Sequence, residues 1–401
     1  MLGLSLKSLL KSLNAEENIM KTIPTPTGKM IVKDDWKLFR SKDVNFNFNM
    51  KNGRTMTWGE TVDDYPDYCD FPHILDIEVT TICPGPANRG CSFCYKSNTR
   101  NGHNMSFNEF KNIIDKMPWL QQVALGADAQ CEANPDIFKM MEYARSRGII
   151  PNITVADVSE ETAKKLAAVC GAVAVSFYPH AGLDVGYNSV KRLTDAGLTQ
   201  VNAHFMISAK SIKSVGQIVS DIKTDERLAG MNALVCLGLK QKGRGTKHET
   251  ASLESYQDMV QMFLDNDVKF GFDSCSAGAF LQSVKDHPKF NEFVQMSEPC
   301  ESTRFSSYIS EKGIFFPCSF TEEWHVGGWS EGINVLEADD FVRDVWMHPK
   351  TVAFREMMVK NTDGLGCQHC PAYTLFGIEG YEQAMINDKY QKLDVIDIVA
   401  A

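Results

Sequence analysis

The sequence predicts an α/β fold built around an open six-stranded parallel sheet, with a β-rich extension before it and a small α+β domain after it. Between residues 73 and 265, six short apolar segments alternate with six amphipathic ones, which is typical of βα units that share one parallel sheet. Several predicted strands also alternate polar and apolar residues, whereas parallel strands with both faces buried are usually apolar throughout. One face should therefore contact helices, while the other lines a polar or ligand-filled interior.

The first seventy residues are predicted to form an extension with no chemistry of its own. Residues 1–20 place five leucines on one helical face, which fits a membrane-surface helix or, more simply, a short helix packed on its own domain. Residues 29–59 predict short strands. Within them, residues 44–50 alternate apolar and polar side chains, and Asn52-Gly53 is a turn signal before a strand that begins at Thr55.

The βα units begin at His73. The predicted strands cover residues 73–81, 121–126, 149–155, 171–177, 200–207 and 232–238, and the helices cover 106–117, 135–147, 159–169, 184–196, 212–223 and 252–265. Ser106 and Glu109 have the spacing of a capping box, and Pro135 suits a first helical position. Gly148 and Gly197 are predicted to end their helices. A further strand is expected at residues 268–273.

The alternating strands predict which side chains face the interior. The polar set consists of Asp76, Glu78, Thr80, Gln122, Asn152, Thr154, Ser176, Asn202, His204 and Asn232. An open (β/α)6 arrangement, which is a partial TIM barrel, fits a polar interior that holds a ligand. A sheet with one solvated face would explain the alternation but not the parallel βα order.

A cysteine-rich loop follows the first predicted strand. Cys83, Cys91 and Cys94 form a C-x7-C-x2-C pattern on a loop rich in glycine and proline, and three thiolates at this spacing can converge on one soft metal centre. A closed structural site needs four protein ligands, so three of them leave a position for a substrate or cofactor. The alternative is a zinc loop whose fourth ligand is His73 or His103.

A second set of cysteines lies in the C-terminal third. Cys300 is followed by twelve residues, then by Gly313 and, after four more, by Cys318; Cys367 and Cys370 form a C-x2-C pair. Residues 304–310 and 313–318 are predicted to form a hairpin. Four thiols of this kind can bind an iron–sulfur cluster or a zinc ion.

The first cysteine loop resembles the cluster loop of radical S-adenosylmethionine enzymes. The resemblance rests on a strand that leads into a loop ending Cys91-Ser92-Phe93-Cys94 and followed by Tyr95. The usual family spacing is C-x3-C-x2-C, and the four additional residues here add little loop-closure entropy. The resemblance implies that Cys83, Cys91 and Cys94 hold a 4Fe-4S cluster. Its fourth iron would bind S-adenosylmethionine, whose reductive cleavage gives a 5′-deoxyadenosyl radical that abstracts a substrate hydrogen.

The same resemblance implies a set of cofactor-binding residues. Gly126 to Ala129 follows the second strand, where relatives carry Gly-Gly-Glu-Pro; only Gly126 matches outright, and Asp128 could replace the Glu. Phe93 would lie near the adenine, and Ser176 would meet the ribose or carboxylate. For Asp128 and Ser176 the alternative is a helix cap or a strand-end hydrogen bond.

Other polar residues at the same end of the sheet complete the candidate site. We expect Asn202 and His204 to contact the cofactor, and Lys240 and Arg244 to meet a carboxylate of S-adenosylmethionine or of the substrate. A solvated basic loop is the alternative for Lys240 and Arg244. Asp273 is a candidate proton acceptor.

The C-terminal cysteines resemble those of the twitch domain, the shortened SPASM domain, which binds an auxiliary 4Fe-4S cluster. The resemblance implies one such cluster at Cys300, Cys318, Cys367 and Cys370, with a four-thiolate zinc site as the alternative. The resemblance to radical S-adenosylmethionine enzymes, taken as a whole, covers roughly residues 70–375. The predicted domains are the extension at 1–70, the partial barrel at 71–270 and the auxiliary-cluster domain at 271–401.

Composition limits the function classes. A net charge of −10 over 401 residues argues against nucleic acid as the main partner. Twelve cysteines without a visible secretory signal favour a reducing cytoplasm, and no segment approaches the length of a membrane-spanning helix.

The resemblance also implies a reaction class and partners. It implies a reductant such as flavodoxin or ferredoxin and, as the leading reaction, oxidation or cross-linking in a peptide or protein. The alternatives are a radical S-adenosylmethionine dehydrogenase of small molecules and, from another class, a zinc-stabilised binding protein without catalysis.

Overall fold

The structure is a computed structural model that describes residues 21–51, 53–62, 64–297, 300–322 and 329–361. The helix predicted within residues 1–20, as well as Cys367 and Cys370, lie outside the described residues. In the described part, the strands form two sheets of five and ten strands. No helix of the described ranges is long and apolar enough to cross a membrane.

The N-terminal sheet is an antiparallel meander in which neighbouring strands are consecutive in the chain. Its strands are β1 Lys21–Thr25, β2 Gly28–Lys33, β3 Trp36–Arg40, β4 Asn45–Asn49 and β5 Thr55–Trp58. The alternation predicted for residues 44–50 places Phe46 in the core, where its ring lies 4.4 Å from that of His73. On the neighbouring strand β3, the Lys37 ammonium donates to the carbonyl of Leu120. This sheet therefore packs against the amino-terminal end of the larger one.

The larger sheet has the order β12-β11-β10-β9-β8-β7-β6-β13-β14-β15. Its strands are β6 Ile74–Glu78, β7 Gln122–Gly126, β8 Ile150–Val155, β9 Val173–Ser176, β10 Val201–Ile207, β11 Ala233–Gly238, β12 Phe270–Phe272, β13 Ser306–Ile309, β14 Ile314–Phe316 and β15 Ile333–Asn334. Each neighbouring pair from β6 to β12 is parallel. The predicted α/β fold with six parallel βα units is confirmed, and the expected strand at 268–273 is present as β12.

The helices lie between the parallel strands or follow them. They are α1 Phe107–Asp115, α2 Ile137–Ser146, α3 Glu160–Val169, α4 Leu183–Asp195, α5 Val215–Thr224, α6 Leu253–Asp265, α7 Ala277–Ser283, α8 Phe290–Met296 and α9 Pro349–Asn361. The capping box of Ser106 and Glu109 is complete. The glycines at 148 and 197 follow α2 and α4 with φ of 72° and 92°, so both close helices as predicted.

Helix α2 begins two residues later than the sequence predicts. Pro135 lies in the preceding turn because Asn134 is committed elsewhere: its amide donates to the carbonyls of Val79 and Met105 at 2.7 and 2.9 Å. Its side-chain oxygen accepts the N–H of Asp136, which then becomes the N-cap residue.

The inward face of the sheet carries small and polar side chains. Apolar residues of alternate parity, such as Leu75, Ile77 and Phe205, are buried in the core. At the bottom of the inward face the Asn152 amide donates to Gln122 at 2.8 Å, and the Asn232 amide donates to Asn202 at 3.0 Å. The positions above these pairs include Ala124, Gly126, Ala172 and Ala174, which leave open space.

The C-terminal hairpin joins the large sheet. Strands β13 and β14 form the predicted hairpin, and β13 also pairs in parallel with β6, placing Tyr308 opposite Asp76. The indole of Trp346 donates to the Cys69 carbonyl at 2.9 Å. The segment assigned to a separate C-terminal domain therefore continues the same sheet, and the domain boundaries stay a prediction.

Candidate active site

A cavity of about 530 Å³ lies on the inward face of the sheet, at the carboxyl ends of the parallel strands. This is the end where ligands bind in parallel βα folds. Residues of the cysteine loop, of every strand from β6 to β11, of the loop after β11 and of the segment after β12 contribute to its wall, as do Tyr308, Ser319 and Phe320. The small inward side chains of β7 and β9 explain why this space is open instead of filled.

The three loop cysteines reach the same cavity. Cys83, Cys91 and Cys94 all line it. The additional residues between the first two cysteines fold into a compact 3-10 turn at Pro86–Asn88, so the long loop does not carry its thiols away from the cavity. This turn requires Gly85, because its φ is 80° and a Cβ there would lie 2.1 Å from the Arg89 carbonyl oxygen.

The protein environment favours the protonated form of two of the thiols, Cys83 and Cys91. Burial, followed by the nearby Cys94 and Cys83, raises the pKa of Cys91 to about 12, while Arg244 acts in the opposite direction. Burial also raises the pKa of Cys83. Metal binding would remove these protons, because the thiolate is the ligand form.

The donor set fits an iron–sulfur cluster by its chemistry. Among the described residues, no group of three His, Cys, Asp or Glu side chains is arranged to hold a metal ion. The three cysteines share one cavity wall, with open space beside them for a further ligand. Three soft donors and a free side are what an iron–sulfur cluster with one non-protein ligand needs.

Neither histidine of the zinc alternative joins these thiols. His73 lies at the amino end of β6, whereas Cys83 follows its carboxyl end, and its ring packs against Phe46, Phe71 and Phe305. Burial there lowers the pKa of His73 to about 3. His103 is exposed and does not line the cavity, and its backbone N–H donates to the Thr81 hydroxyl at 2.9 Å.

Arg244 holds the cysteine loop in place, a contact that the sequence did not reveal. Its guanidinium donates to the carbonyls of Cys91 and Asn98 at 2.9 and 3.0 Å, and its backbone N–H donates to the carbonyl of Cys94 at 3.0 Å. The neighbouring Gly243 makes this approach feasible, since a Cβ there would lie 2.3 Å from the Tyr95 carbonyl oxygen. The glycine-rich composition of residues 238–245 was the available signal.

The residues expected to contact the cofactor lie around the cavity, with one exception. Phe93, Gly126, Asp128, Ser176, His204, Lys240 and Arg244 all line it. Asn202 does not: it is buried one layer below, where its side-chain oxygen accepts from Asn232.

Asp128 and Phe93 also have local partners. The Asp128 carboxylate accepts the backbone N–H groups of Gln130 and Ala133 at 3.0 and 2.8 Å, which matches the strand-end hydrogen bond considered as its alternative role. The Phe93 ring lies 5.3 Å from the rings of Tyr178 and His180, so it forms part of an aromatic wall.

His204, Lys240 and Asp273 form a polar group at the far side of the cavity. The Lys240 ammonium lies 2.5 Å from one Asp273 oxygen. The other Asp273 oxygen and the His204 Nε2 atom are buried and have no hydrogen-bond partner within the described residues. Burial lowers the pKa of His204 to about 4, partly opposed by Asp273, so this ring is neutral near pH 7. Both unpartnered atoms are available to a ligand.

A buried charge network also borders the cavity, and sequence reasoning did not find it. Lys96 donates to the carboxylates of Glu78 and Glu322 and to the Tyr308 hydroxyl. The Tyr308 hydroxyl lies 2.8 Å from Glu78 and 3.0 Å from Glu322. Burial and the two carboxylates raise the pKa of Tyr308, while the carboxylates outweigh burial and raise the pKa of Lys96. Of the residues in this network, the sequence marked only Glu78, because it lies on the polar face of the first predicted strand.

The network connects the first cysteine loop to the segment after Cys318. Tyr95 donates to the Ser319 hydroxyl at 3.2 Å, and its ring lies 4.7 Å from that of Phe320. Cys300 and Cys318 themselves do not line the cavity, but their segments are adjacent, because Ser302 donates to the Pro317 carbonyl at 2.7 Å. The other two cysteines of the expected auxiliary site lie outside the described residues.

Asp76 extends the polar lining deeper into the cavity. It lies on β6 two residues before Glu78 and faces the cavity space. The Asp76 side chain is exposed to the cavity space. Protein atoms nevertheless surround the carboxyl group, and the resulting desolvation raises the pKa of Asp76 to about 6.

The fold is shared with SuiB of Streptococcus suis. The crystal structure of SuiB aligns with a TM-score of 0.61 at 13% sequence identity, covering 80% of this chain and 90% of SuiB. The crystal structure of SuiB bound to S-adenosylmethionine aligns with the same TM-score at 14% identity, covering 80% and 89% of the two chains. No protein-family model matches the sequence, and no curated protein matches it either. At this level of identity the similarity establishes the fold.

Proposed function

We propose that this chain is a radical S-adenosylmethionine enzyme. The observation that carries the proposal is the position of Cys83, Cys91 and Cys94, which line one cavity at the carboxyl ends of a parallel sheet. The fold supports it, because SuiB shares this architecture and has been crystallised with S-adenosylmethionine bound. The motif resemblance described from the sequence supplies the chemistry.

The residues of the chain have distinct roles in this proposal. Cys83, Cys91 and Cys94 hold a 4Fe-4S cluster, and Arg244 keeps their loop against the sheet. Phe93 and Ser176 form the wall that receives the cofactor. When bound, the cluster and S-adenosylmethionine supply a 5′-deoxyadenosyl radical that takes a hydrogen atom from the substrate.

The far side of the cavity holds the substrate in this proposal. Asp273, with one oxygen unpartnered among the described residues, accepts a proton that the substrate loses. Lys240 fixes the other oxygen and so orients the carboxylate. The sheet and Phe320 form the walls around these groups.

The proposed reaction class is oxidation or cross-linking in a peptide or protein. It rests on the resemblance of Cys300, Cys318, Cys367 and Cys370 to an auxiliary-cluster set, since such a cluster can accept an electron from the substrate. The contact of Ser319 and Phe320 with the cavity supports a functional link between the two regions. Oxidation of a small alcohol is the alternative within the same enzyme class.

The decisive test is the metal content and turnover of protein purified without oxygen. We expect a brown protein with about eight iron and eight sulfide per chain that forms 5′-deoxyadenosine when reduced with S-adenosylmethionine. About four iron would leave the enzyme assignment intact but remove the auxiliary cluster. A colourless protein with stoichiometric zinc would support a non-catalytic binding protein instead.

Cysteine variants locate the cluster. Replacing Cys83, Cys91 and Cys94 with alanine removes all thiol ligands of the loop, so 5′-deoxyadenosine formation should be lost and about four iron atoms with it. Cys170→Ala is the matched control, because Cys170 is buried outside the cavity beside Met141. Unchanged turnover in the triple variant would refute the assignment.

A further inference from the structure

One charged group of the cavity wall has neither an ion pair nor a hydrogen bond among the described residues. The lining carboxyls of the cavity are Asp76, Glu78, Asp128 and Asp273, and its lining cations are Lys96, Lys240 and Arg244. Six of these seven groups have an ion pair or a main-chain hydrogen bond within the protein, although one oxygen of Asp273 is left without a partner among the described residues. The exception is Asp76, which has no hydrogen bond or ion pair with any described residue.

The position of Asp76 places it beyond the cluster loop. It stands at the middle of β6, opposite Ala124 on one side and Tyr308 on the other. Two residues of strand separate it from Glu78, which corresponds to about 6–7 Å further from the loop. The neighbouring Tyr308 hydroxyl is directed to Glu78 and Glu322, so it does not satisfy Asp76. A ligand group that meets Asp76 therefore belongs to the part of the cavity deeper than the cysteine loop.

An independent observation also points to a ligand in this space. His204 is 6% exposed, lines the same cavity and has a buried Nε2 atom without a partner among the described residues. Leaving such an atom unpaired is costly unless a ligand completes it. A neutral imidazole does not repel a cation, and enclosure lowers the pKa of His204 to about 4, so it stays neutral near pH 7.

We propose that the cavity recognises a substrate through a positively charged nitrogen group, a primary ammonium, that binds the Asp76 carboxylate. The inference rests on the proposed function for the identity of the cavity and deepens it by naming a substrate class. A carboxylate enclosed by protein is destabilised in its charged form, and a cation that donates N–H bonds relieves this directly. The small side chains of Ala124 and Ala172 leave the approach to Asp76 open.

Three probes of similar size test the proposal: n-butylammonium, n-butanol and n-butyrate. Their dissociation constants are measured by saturation-transfer NMR on the anaerobically purified protein with saturating S-adenosylmethionine. We expect the ammonium to bind about tenfold tighter than the alcohol, as a charge-assisted hydrogen bond to a carboxylate with no partner among the described residues predicts. Butyrate should bind most weakly. In Asp76→Asn, which keeps the shape and removes the charge, the preference for the ammonium should disappear.

Controls separate this proposal from its alternatives. Glu292→Gln removes an exposed carboxylate on α8 and should leave all three constants unchanged. Equal affinity of the three probes, retained ammonium preference in Asp76→Asn, or displacement of S-adenosylmethionine by butylammonium would each overturn the proposal. Iron content and 5′-deoxyadenosine formation of the unaltered protein test the proposed function separately. A failure of substrate recognition is therefore distinguishable from a failure of the enzyme assignment.

Discussion

Arg244 connects two loops that are more than 140 residues apart in the chain. Its guanidinium spans the carbonyls of Cys91 and Asn98, which lie on either side of the last loop cysteine. A planar fork with fixed donor directions suits two such acceptors, whereas an ammonium is a single point of contact. The order of the cysteine loop therefore depends on a residue that belongs to a different βα unit.

This contact gives a prediction at the residue scale. Arg244→Lys keeps the charge but loses at least one of two hydrogen bonds, each worth about 1 kcal/mol, so the closed loop should become at least about fivefold less favoured. We expect reconstituted protein to lose iron faster to a chelator, as followed by visible absorbance. Lys247→Gln, an exposed change in the same segment, is the control. Iron loss at the original rate in Arg244→Lys would show that the Arg244 contact does not hold the cysteine loop in place.

Single residues were predictable from sequence where a local pattern marked them. Cys83, Cys91 and Cys94 stood out by spacing, and His204 was marked by alternation along its strand. Glu322 could not be found in this way, because its role depends on Lys96, which lies 226 residues earlier in the chain. Asn202 shows the converse: alternation places it on the inward face, but only the structure shows that it pairs with Asn232 below the cavity.

At the scale of elements, helix α1 illustrates how local sequence fixes a boundary. The Ser106 hydroxyl accepts the N–H of Glu109 at 3.3 Å, and the Glu109 carboxylate accepts the N–H of Ser106 at 2.8 Å. These bonds satisfy backbone donors that the first turn leaves without partners. Because α1 packs Phe110, Ile113 and Ile114 into the core, its start also fixes their positions.

Removing this cap should destabilise the protein measurably. Ser106→Ala loses the hydroxyl acceptor and is expected to cost about 1 kcal/mol in the free energy of unfolding, as determined by denaturant titration. Ser220→Ala is the matched control, since Ser220 is exposed in the middle of α5 and alanine is the better helix former there. Equal stability of the Ser106 variant and the parent protein would show that the cap is not needed.

Elements were predictable where periodicity is local and less so where pairing is distant. The six βα units lie within three residues of their predicted positions; among the helix starts, those of α2 and α5 differ most, by two and three residues. The parallel pairing of β13 with β6 joins residues more than 200 positions apart, which no short-range pattern encodes. The 3-10 turn at Pro86–Asn88 likewise depends on a left-handed backbone at Ala87 and Asn88, which the sequence did not predict.

For the whole molecule, the contact between the two sheets includes a buried lysine. Lys37 of the N-terminal sheet is fully buried and donates to the Leu120 carbonyl, immediately before β7. Burial, followed by repulsion from Lys21, lowers the pKa of Lys37 to about 7. The ordinary value is 10.5, so between these pH values the unfolded chain binds a proton that the folded protein releases.

The sign of this difference predicts how stability changes with pH. Because the folded pKa lies below the unfolded one, Lys37 should make the protein more stable as pH rises from about 7, by about 2 kcal/mol at about pH 9. Lys37→Met should flatten this slope in denaturant titrations across the same range. Lys29→Met, at an exposed position on the neighbouring strand, should keep the slope of the parent protein. An unchanged slope in Lys37→Met would contradict the burial of the ammonium.

The small inward residues of β7 and β9, together with Ala172 just before β9, have a consequence for how substitutions would alter this molecule. Ala124, Gly126, Ala172 and Ala174 set the size of the chamber, while the sheet is anchored from its opposite side by larger residues such as Val123 and Val175. Exchanging the methyl group for a bulkier side chain at the three alanines would change what fits inside without disturbing that anchorage. The side chains that set the size of the cavity are thus different from those that pack the sheet against the core. Substitutions in the first set can change which ligand fits while the packing is preserved.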